Sequence, residues 1–326
     1  MNYRTLGMTG LKVSEIGLGA FPISGLWQRS DGSRFGWTGT DDGESIALIH
    51  RAEALGVNLI DTAEGYGDGH SEVMTGKALQ GRRERWIVAT KVQPNQSIDR
   101  ESHDEAAVRR RITDACEQSL RRLQMEAIDL YQLHAIPYEW AMSAAMETLA
   151  QLRQAGKIRW YGISTNNRAA IERLRTFGPI HILQIGYNLL ERSADELLHW
   201  AKAENIGTLI RVPLAKGMLT GKYSGANAHS LAENDLRYER FQRAETVAGL
   251  ARLPELDFLA TPERSLVQAS LRFVLDHPGV SCVIAGAKNR RQMEENAAAS
   301  GIPSLSEEEL AQALPIADTI STPGWI

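Results

Sequence analysis

The chain has 326 residues, 43% of them hydrophobic, with 36 Lys and Arg against 40 Asp and Glu and a net charge of −4. That near-balance gives no support for nucleic-acid binding or for attachment to an anionic membrane, so the expected partner is a small molecule, with no nucleic acid and no membrane. Two cysteines, Cys116 and Cys282, are too few for a disulfide framework or structural zinc, and no run is apolar over the roughly 20 residues that span a bilayer, so a cytoplasmic protein with ordinary buried thiols is expected.

The first segment predicts a hairpin, with residues 3–6 and 11–14 flanking Gly7-Met8-Thr9-Gly10, where glycines relieve the steric limits of a tight turn. A strand follows at 16–20. Further strand-like runs lie at 57–61, 86–91, 127–134, 158–164, 182–186, 208–212 and 281–286. Between them apolar residues recur at helical spacing, as in Ile46, Ile49, Ala52 and Leu55, or Val108, Ile112, Ala115, Leu120 and Leu123. Strands alternating with helices predict a parallel sheet, because each parallel crossover needs a helix-sized connection. Eight such units favour closure into a (β/α)8 TIM barrel, an α/β fold here carrying an N-terminal β-hairpin; an open doubly wound sheet is the alternative. The basic triplet Arg109-Arg110-Arg111 falls in helix-like sequence and reads as a solvated helix face.

Two connections are long. Residues 21–40 contain Trp27, Phe35 and Trp37, and residues 214–261 follow the seventh strand. Long loops in compact domains are often functional, and both are expected at the C-terminal face of the barrel. Aromatics there either wall a substrate pocket or cap exposed core; Trp27 and Trp37 are the candidate substrate contacts. The tail with Trp325 is a further candidate determinant of substrate choice.

Three strand-like runs end on polar residues, at Asp61, Lys91 and His134, and Tyr66 lies just past the first, in Asp61-Thr62-Ala63-Glu64-Gly65-Tyr66-Gly67. In a parallel barrel the C-terminal ends of the strands converge on the face that carries chemistry. A phenol with a reference pKa of about 10 is a poor acid alone, and an ammonium beside it lowers that value. Lys91 can supply the charge, Asp61 can hold Lys91 protonated, and a neutral His134 can donate to a substrate oxygen. Together they would polarise a carbonyl and protonate its oxygen. Each alone has a plainer account: Asp61 as a helix cap, Lys91 as a surface lysine, His134 as a structural histidine, Tyr66 as loop packing. Their common placement after parallel strands favours chemistry. Asp68-Gly69-His70-Ser71-Glu72 lacks a metal-ligand spacing, and Ser71 opening a helix is the simpler account, so no metal is expected.

Carbonyl reduction needs a hydride source that side chains cannot provide. Gly17-Leu18-Gly19-Ala20-Phe21-Pro22 begins like a dinucleotide fingerprint but lacks its third glycine, so a Rossmann reading fails. Three other segments offer polar groups at strand ends. Gly162-Ile163-Ser164-Thr165-Asn166-Asn167 ends the fifth strand, Gln184 lies in the sixth, and Ile284-Ala285-Gly286-Ala287-Lys288 follows the eighth, just before a helix. Glycines, a lysine and a helix N-terminus suit phosphate.

These motifs together are similar to those of the aldo-keto reductase family, over nearly all of the chain. Asp61 to Gly67 resembles the family's first catalytic motif, and Lys91 and His134 match its other catalytic positions. Pro213-Leu214-Ala215-Lys216-Gly217 resembles the pyrophosphate-side loop, and Gly286 and Lys288, followed by Gln292, Glu295 and Asn296, the adenosine-phosphate end. The pattern is nearer the bacterial and potassium-channel beta-subunit-like branches than the steroid-reducing one. The resemblance implies one barrel domain over 1–326 and sequential use of NADPH/NADP+. Tyr66 would be the general acid, Ser164 and Gln184 would hold the carboxamide, and Lys288 would read the 2′-phosphate. Glu295 and Asn296 would approach the adenine. Thr165 stands where many members have asparagine, with Asn166 the expected substitute. Arg211 stands where many have a tyrosine stacked on the nicotinamide, and Gln292 where other branches have arginine. The activity so implied is NADPH-dependent reduction of aldehydes or ketones to alcohols by a small-molecule oxidoreductase. The alternatives are a sugar or alcohol dehydrogenase running the same site in reverse, a slow cofactor-sensing regulatory subunit, or a metal-dependent lyase or isomerase on the same barrel.

Overall fold

Runs such as Ile182-Leu183-Gln184-Ile185 are buried on both faces, as strands of a parallel sheet covered by helices require. In the computed structural model, which describes residues 1–28 and 32–320, eight strands close into a parallel barrel. The chain opens with an antiparallel hairpin, β1 (Tyr3–Thr5) and β2 (Lys12–Ser14). The first barrel strand, β3 (Ile16–Gly19), follows. A second hairpin, β4 (Leu26–Gln28) with β5 (Arg34–Gly36), precedes α1 (Asp42–Ala54). Strand and helix then alternate through β6 (Leu59–Asp61), α2 (His70–Ala78), β7 (Ile87–Val92), α3 (Glu105–Leu123) and β8 (Ile128–Leu133). They continue through α4 (Met142–Gln154), β9 (Ile158–Ser164), α5 (Arg168–Arg175), β10 (Ile182–Gly186), α6 (Asp195–Ala203) and β11 (Gly207–Arg211). The long connection after β11 carries two short helices, α7 (Tyr238–Phe241) and α8 (Ala244–Arg252). The chain then runs through α9 (Leu266–Asp276), β12 (Cys282–Gly286), α10 (Arg290–Ala298) and α11 (Glu307–Asp318).

Pairing of β12 with β3 closes the barrel and sets aside the open-sheet alternative. Strands 158–164 and 182–186 coincide with the expected runs, while others shift at their ends. Val212 falls outside β11 because its φ is +57°, a conformation β-branched residues rarely adopt. The sequence reading placed no strand in 21–40; β4 and β5 are there. Helix starts are capped as polar residues before apolar runs suggest: Asp41, Asp104 and Asn167 accept from backbone N–H groups of α1, α3 and α5, and Ser265 forms a capping box with Gln268. Of the basic triplet in α3, Arg111 turns inward to Glu64 and Gln96 instead of into solvent.

Inside the barrel, Leu59, Ala89, Leu130, Ile182, Leu209 and Cys282 pack with Leu6 and Val13 of the first hairpin. Leu6 lies against Gly207, where an added Cβ would sit 2.6 Å from Leu6 Cγ, and Gly7 (φ +46°) approaches the Gly207 nitrogen as closely as only glycine allows. Gly207 opens β11, so this hairpin plugs the end where strands begin and leaves the opposite mouth for ligands. Both thiols are buried and unpaired. Among the described residues no helix is long and apolar enough to cross a membrane.

Candidate active site

One arc of the barrel mouth is built by the ends of β6, β7 and β8. Asp61 closes β6, and the chain continues beside β7, Thr62 N–H donating to Ala89 and Glu64 N–H to Lys91. Gly67 then adopts φ +64°, and a Cβ on it would lie 2.5 Å from the Ser24 carbonyl oxygen. Glycine there lets the chain turn back and aim Tyr66 at the strand ends. Ser71, expected to open a helix, does not: Gly69 is the cap of α2. The buried Ser71 hydroxyl instead donates to the Ala20 carbonyl and accepts from Thr62 Oγ1, tying the ends of β3 and β6 together.

Lys91 is completely buried. Its ammonium donates to Asp61 Oδ2 at 2.7 Å, to the Thr62 carbonyl at 2.7 Å and to the Tyr66 hydroxyl at 3.3 Å, so its three hydrogens have three acceptors. Burial alone would push this ammonium down; Asp61 and Tyr66 outweigh it and hold Lys91 above its ordinary pKa. Asp61 Oδ1 accepts from Gln184 at 2.8 Å and from Gln132 at 3.5 Å. Phe21 stacks on Tyr66 with centroids 4.4 Å apart, and the His134 ring meets it edge-on at 5.7 Å.

Two electrostatic consequences follow. Burial pushes His134 down to about 3, with the Lys91 and Arg211 charges adding to the effect, so the imidazole is neutral at neutral pH. Its Nδ1 is buried without a partner. The phenol departs from the expectation of a lowered pKa: burial raises it, Lys91 and Arg211 oppose, Asp61 reinforces, and the net direction is up. Tyr66 therefore rests as a protonated donor, not as a phenolate.

A second arc of candidate residues lies along β9 to β12. Ser164 and Gln184 are both buried; Gln184 gives its amide N–H to Asp61, and its Oε1 lies 3.4 Å from Ser164 Oγ. Asn166 is not a free substitute at this place, because its carboxamide pairs twice with the Gly186 backbone, at 2.9 and 2.8 Å. Arg211 ends β11, and Pro213 and Leu214 lead into a run in which Ala215, Lys216 and Gly217 all have positive φ. Burial and the charges of Arg240 and Arg211 push Lys216 down to about 8. Lys288 is likewise pushed to about 8 by burial and by Arg237; its ammonium donates to the Thr38 carbonyl at 2.6 Å and sits 4.9 Å from the Trp37 ring centroid. Gln292 accepts from the Lys288 N–H, Asn296 donates to the Gly286 carbonyl, and Glu295 accepts from Ser265.

The two tryptophan candidates separate. Trp37 is buried, edge-on to Phe21 at 5.6 Å and covered by the Arg237 guanidinium at 4.6 Å, so it joins the site. Trp27 lies in the outer hairpin against Phe35. Trp325 falls outside the described residues. Asp235 anchors the long connection, binding Arg237 through both oxygens and accepting from Thr38 at 2.9 Å, while Gly36 exchanges backbone hydrogen bonds with Asn234 and Leu236.

Comparison with known proteins places this arrangement. The model of the aldo/keto reductase family matches residues 15–316. The chain belongs to the aldo/keto reductase family. It is 34% identical to the aldo-keto reductase YhdN of Bacillus subtilis, over 99% of this chain and 96% of that protein. Its fold superposes on the glycerol dehydrogenase AKR11B4 of Gluconobacter oxydans with a TM-score of 0.78 and 31% identity, covering 96% of this chain and 94% of that one. An aldo/keto reductase from Klebsiella pneumoniae, solved with NADP and acetate, matches at TM-score 0.68 and 26% identity over 96% and 94% of the two chains.

In this aldo/keto reductase, residues beyond those expected from the sequence also touch the candidate site. Gln132 steadies Asp61 from β8, and its signal was a polar residue inside the apolar run Leu130-Tyr131-Gln132-Leu133. Phe21, one residue beyond the first expected strand, forms the wall against Tyr66. In the segment 68–72, His70 pairs with Asp42 and Glu72 with Thr90 and Arg122, so the acid and the imidazole face different partners. Away from the mouth, Asp195, His199 and His277 gather metal-type donor atoms. The Gly279 N–H donates to His277 Nδ1 at 3.0 Å, which leaves the ring proton on Nε2, 3.2 Å from Asp195 Oδ1. That tautomer presents a hydrogen where a metal would need a lone pair.

Proposed function

We propose that this enzyme reduces aldehydes or ketones to alcohols with NADPH, Tyr66 giving its proton to the carbonyl oxygen. The observation that carries this reading is the fully buried Lys91 ammonium shared between Asp61 and the Tyr66 hydroxyl. Such an ammonium, fixed by a carboxylate, stabilises the phenolate left when the proton departs. Neutral His134 donates a hydrogen bond to the same oxygen and orients it. Phe21 and Trp37 supply apolar walls that exclude water.

The enzyme is an NADP-dependent oxidoreductase, and the second arc fits such a cofactor. Lys216 and Lys288 are cations lowered to about 8 by burial and, beyond it, by neighbouring positive charge, a setting that an arriving phosphate would relieve. Pro213, Leu214, Lys216 and Gly217 would hold the pyrophosphate, Ser164 and Gln184 would approach the carboxamide, and Gly286, Lys288, Gln292, Glu295 and Asn296 would hold the adenosine end. When bound, the nicotinamide supplies the hydride. Asp61 acts on the chemistry through Lys91, and Gln132 and Gln184 position Asp61.

The deciding assay is NADPH oxidation with a panel of aromatic aldehydes, dicarbonyls and sugars, alongside NADH. Turnover with at least one carbonyl class is expected; none with any, under conditions where NADPH binds, would sink the reading. The likeness to a glycerol dehydrogenase makes alcohol oxidation the second direction to assay. The resting, protonated phenol favours reduction, since oxidation needs Tyr66 as a base.

Lys288→Ala is expected to weaken NADPH by about tenfold and NADH much less, since a charge-assisted phosphate contact is lost only for the former. Equal losses would show that Lys288 does not read the 2′-phosphate. In the wild type, NADPH affinity should fall as pH rises past 8, where Lys216 and Lys288 lose their protons; titrations from pH 7 to pH 9.5 follow it.

A further inference from the structure

Resting on the reading above, we propose that Arg211 discriminates between the oxidation states of the bound nicotinamide, its guanidinium holding NADPH more tightly than NADP+. Arg211 is the last residue of β11, in register with Gly186 at the end of β10. It is half-buried and its Nε is buried without a partner. Among the described residues its guanidinium makes no ion pair, whereas the buried arginines Arg237 and Arg272 each have a carboxylate, Asp235 and Asp276. A buried charge normally requires such a partner.

The charge of Arg211 reaches both Tyr66 and His134, so it acts at the reacting end of the site. The carboxylate there, Asp61, is already held by Lys91 and Gln184. Lys91 and Arg211 against Asp61 leave one positive charge uncompensated. A hydride donor must lie against the carbon whose oxygen meets Tyr66, so the nicotinamide shares this field. The reduced ring is neutral and electron-rich, and a guanidinium plane is attracted to such a face. Loss of hydride leaves the ring with a positive charge, and like charges in a partly desolvated site repel. Neutral residues at this position would tell the two forms apart much less.

The test is quenching of intrinsic fluorescence by NADPH and by NADP+ in the full chain, in the wild type, Arg211→Met and Arg211→Lys. The wild type should bind NADPH at least about tenfold more tightly than NADP+, a modest fraction of what two charges in contact can exert. Arg211→Met should bring the two dissociation constants close together, chiefly by tightening NADP+, and Arg211→Lys should keep most of the gap. Removing an uncompensated charge should not impair folding, and circular dichroism checks this. If Arg211→Met weakens both nucleotides equally or leaves their ratio unchanged, or if Arg211→Lys behaves as Arg211→Met does, the charge is not what discriminates. A wild type that binds neither nucleotide would overturn the proposed function as well; normal binding with an unmoved ratio overturns only the role of Arg211.

Discussion

Tyr66→Phe is expected to lower turnover by roughly 10²- to 10⁴-fold, the range that a positioned proton donor contributes, while NADPH still quenches intrinsic fluorescence. The substitution removes one oxygen and keeps the ring. The stack on Phe21 at 4.4 Å and the edge contact with His134 at 5.7 Å are both made by ring atoms, so the pocket keeps its shape. What disappears is the acceptor for the third hydrogen of Lys91 and, among the described residues, the only O–H that the ammonium touches. Steady-state rates and quench titrations on one preparation separate lost chemistry from lost binding. Turnover like that of the wild type would reject Tyr66 as the acid, and with it the role proposed for the Lys91 charge.

Lys91→Met should abolish turnover and also destabilise the fold, by about 3–5 kcal/mol, because it strands a buried carboxylate without its cation. Lys91 is fully buried and Asp61 is 2% exposed. Adding Asp61→Asn to Lys91→Met should recover much of the stability, since the remaining amide is neutral, yet recover none of the turnover. Chemical denaturation and rate assays of the two single variants and the double variant complete the cycle. A Lys91→Met protein as stable as the wild type would mean that the pair is not the desolvated contact described above.

The strand ends were legible because a parallel barrel demands apolar runs and because an ionisable residue closing such a run has few reasons to be there. Asp61, Lys91 and His134 announced themselves in that way. The helices were legible from apolar spacing and from capping residues such as Asp41 and Asn167. The hairpin of β4 and β5 was not: Leu26-Trp27-Gln28 and Arg34-Phe35-Gly36 are too short to display alternation, and β5 is tied to residues 234–236, far along the chain. The support of Asp61 by Gln132 and Gln184 was equally hidden, since two glutamines on separate strands meet only after the barrel closes. The direction of the phenol's pKa was misjudged for a related reason. Proximity of Lys91 and Tyr66 can be guessed from spacing, but the degree of water exclusion around them is a property of the packed whole.

The hairpin at the base of the barrel carries a last implication. Leu6 and Val13 are driven into the axis and Gly7 is pressed on Gly207, so the described residues fill the lower end of the barrel. On the proposed function, cofactor and carbonyl compound would then share the opposite mouth, and whichever lodges deeper would enter before the other and depart after it. The segment latched by Asp235 to Thr38 would then bear on how quickly the enzyme is emptied and refilled between cycles.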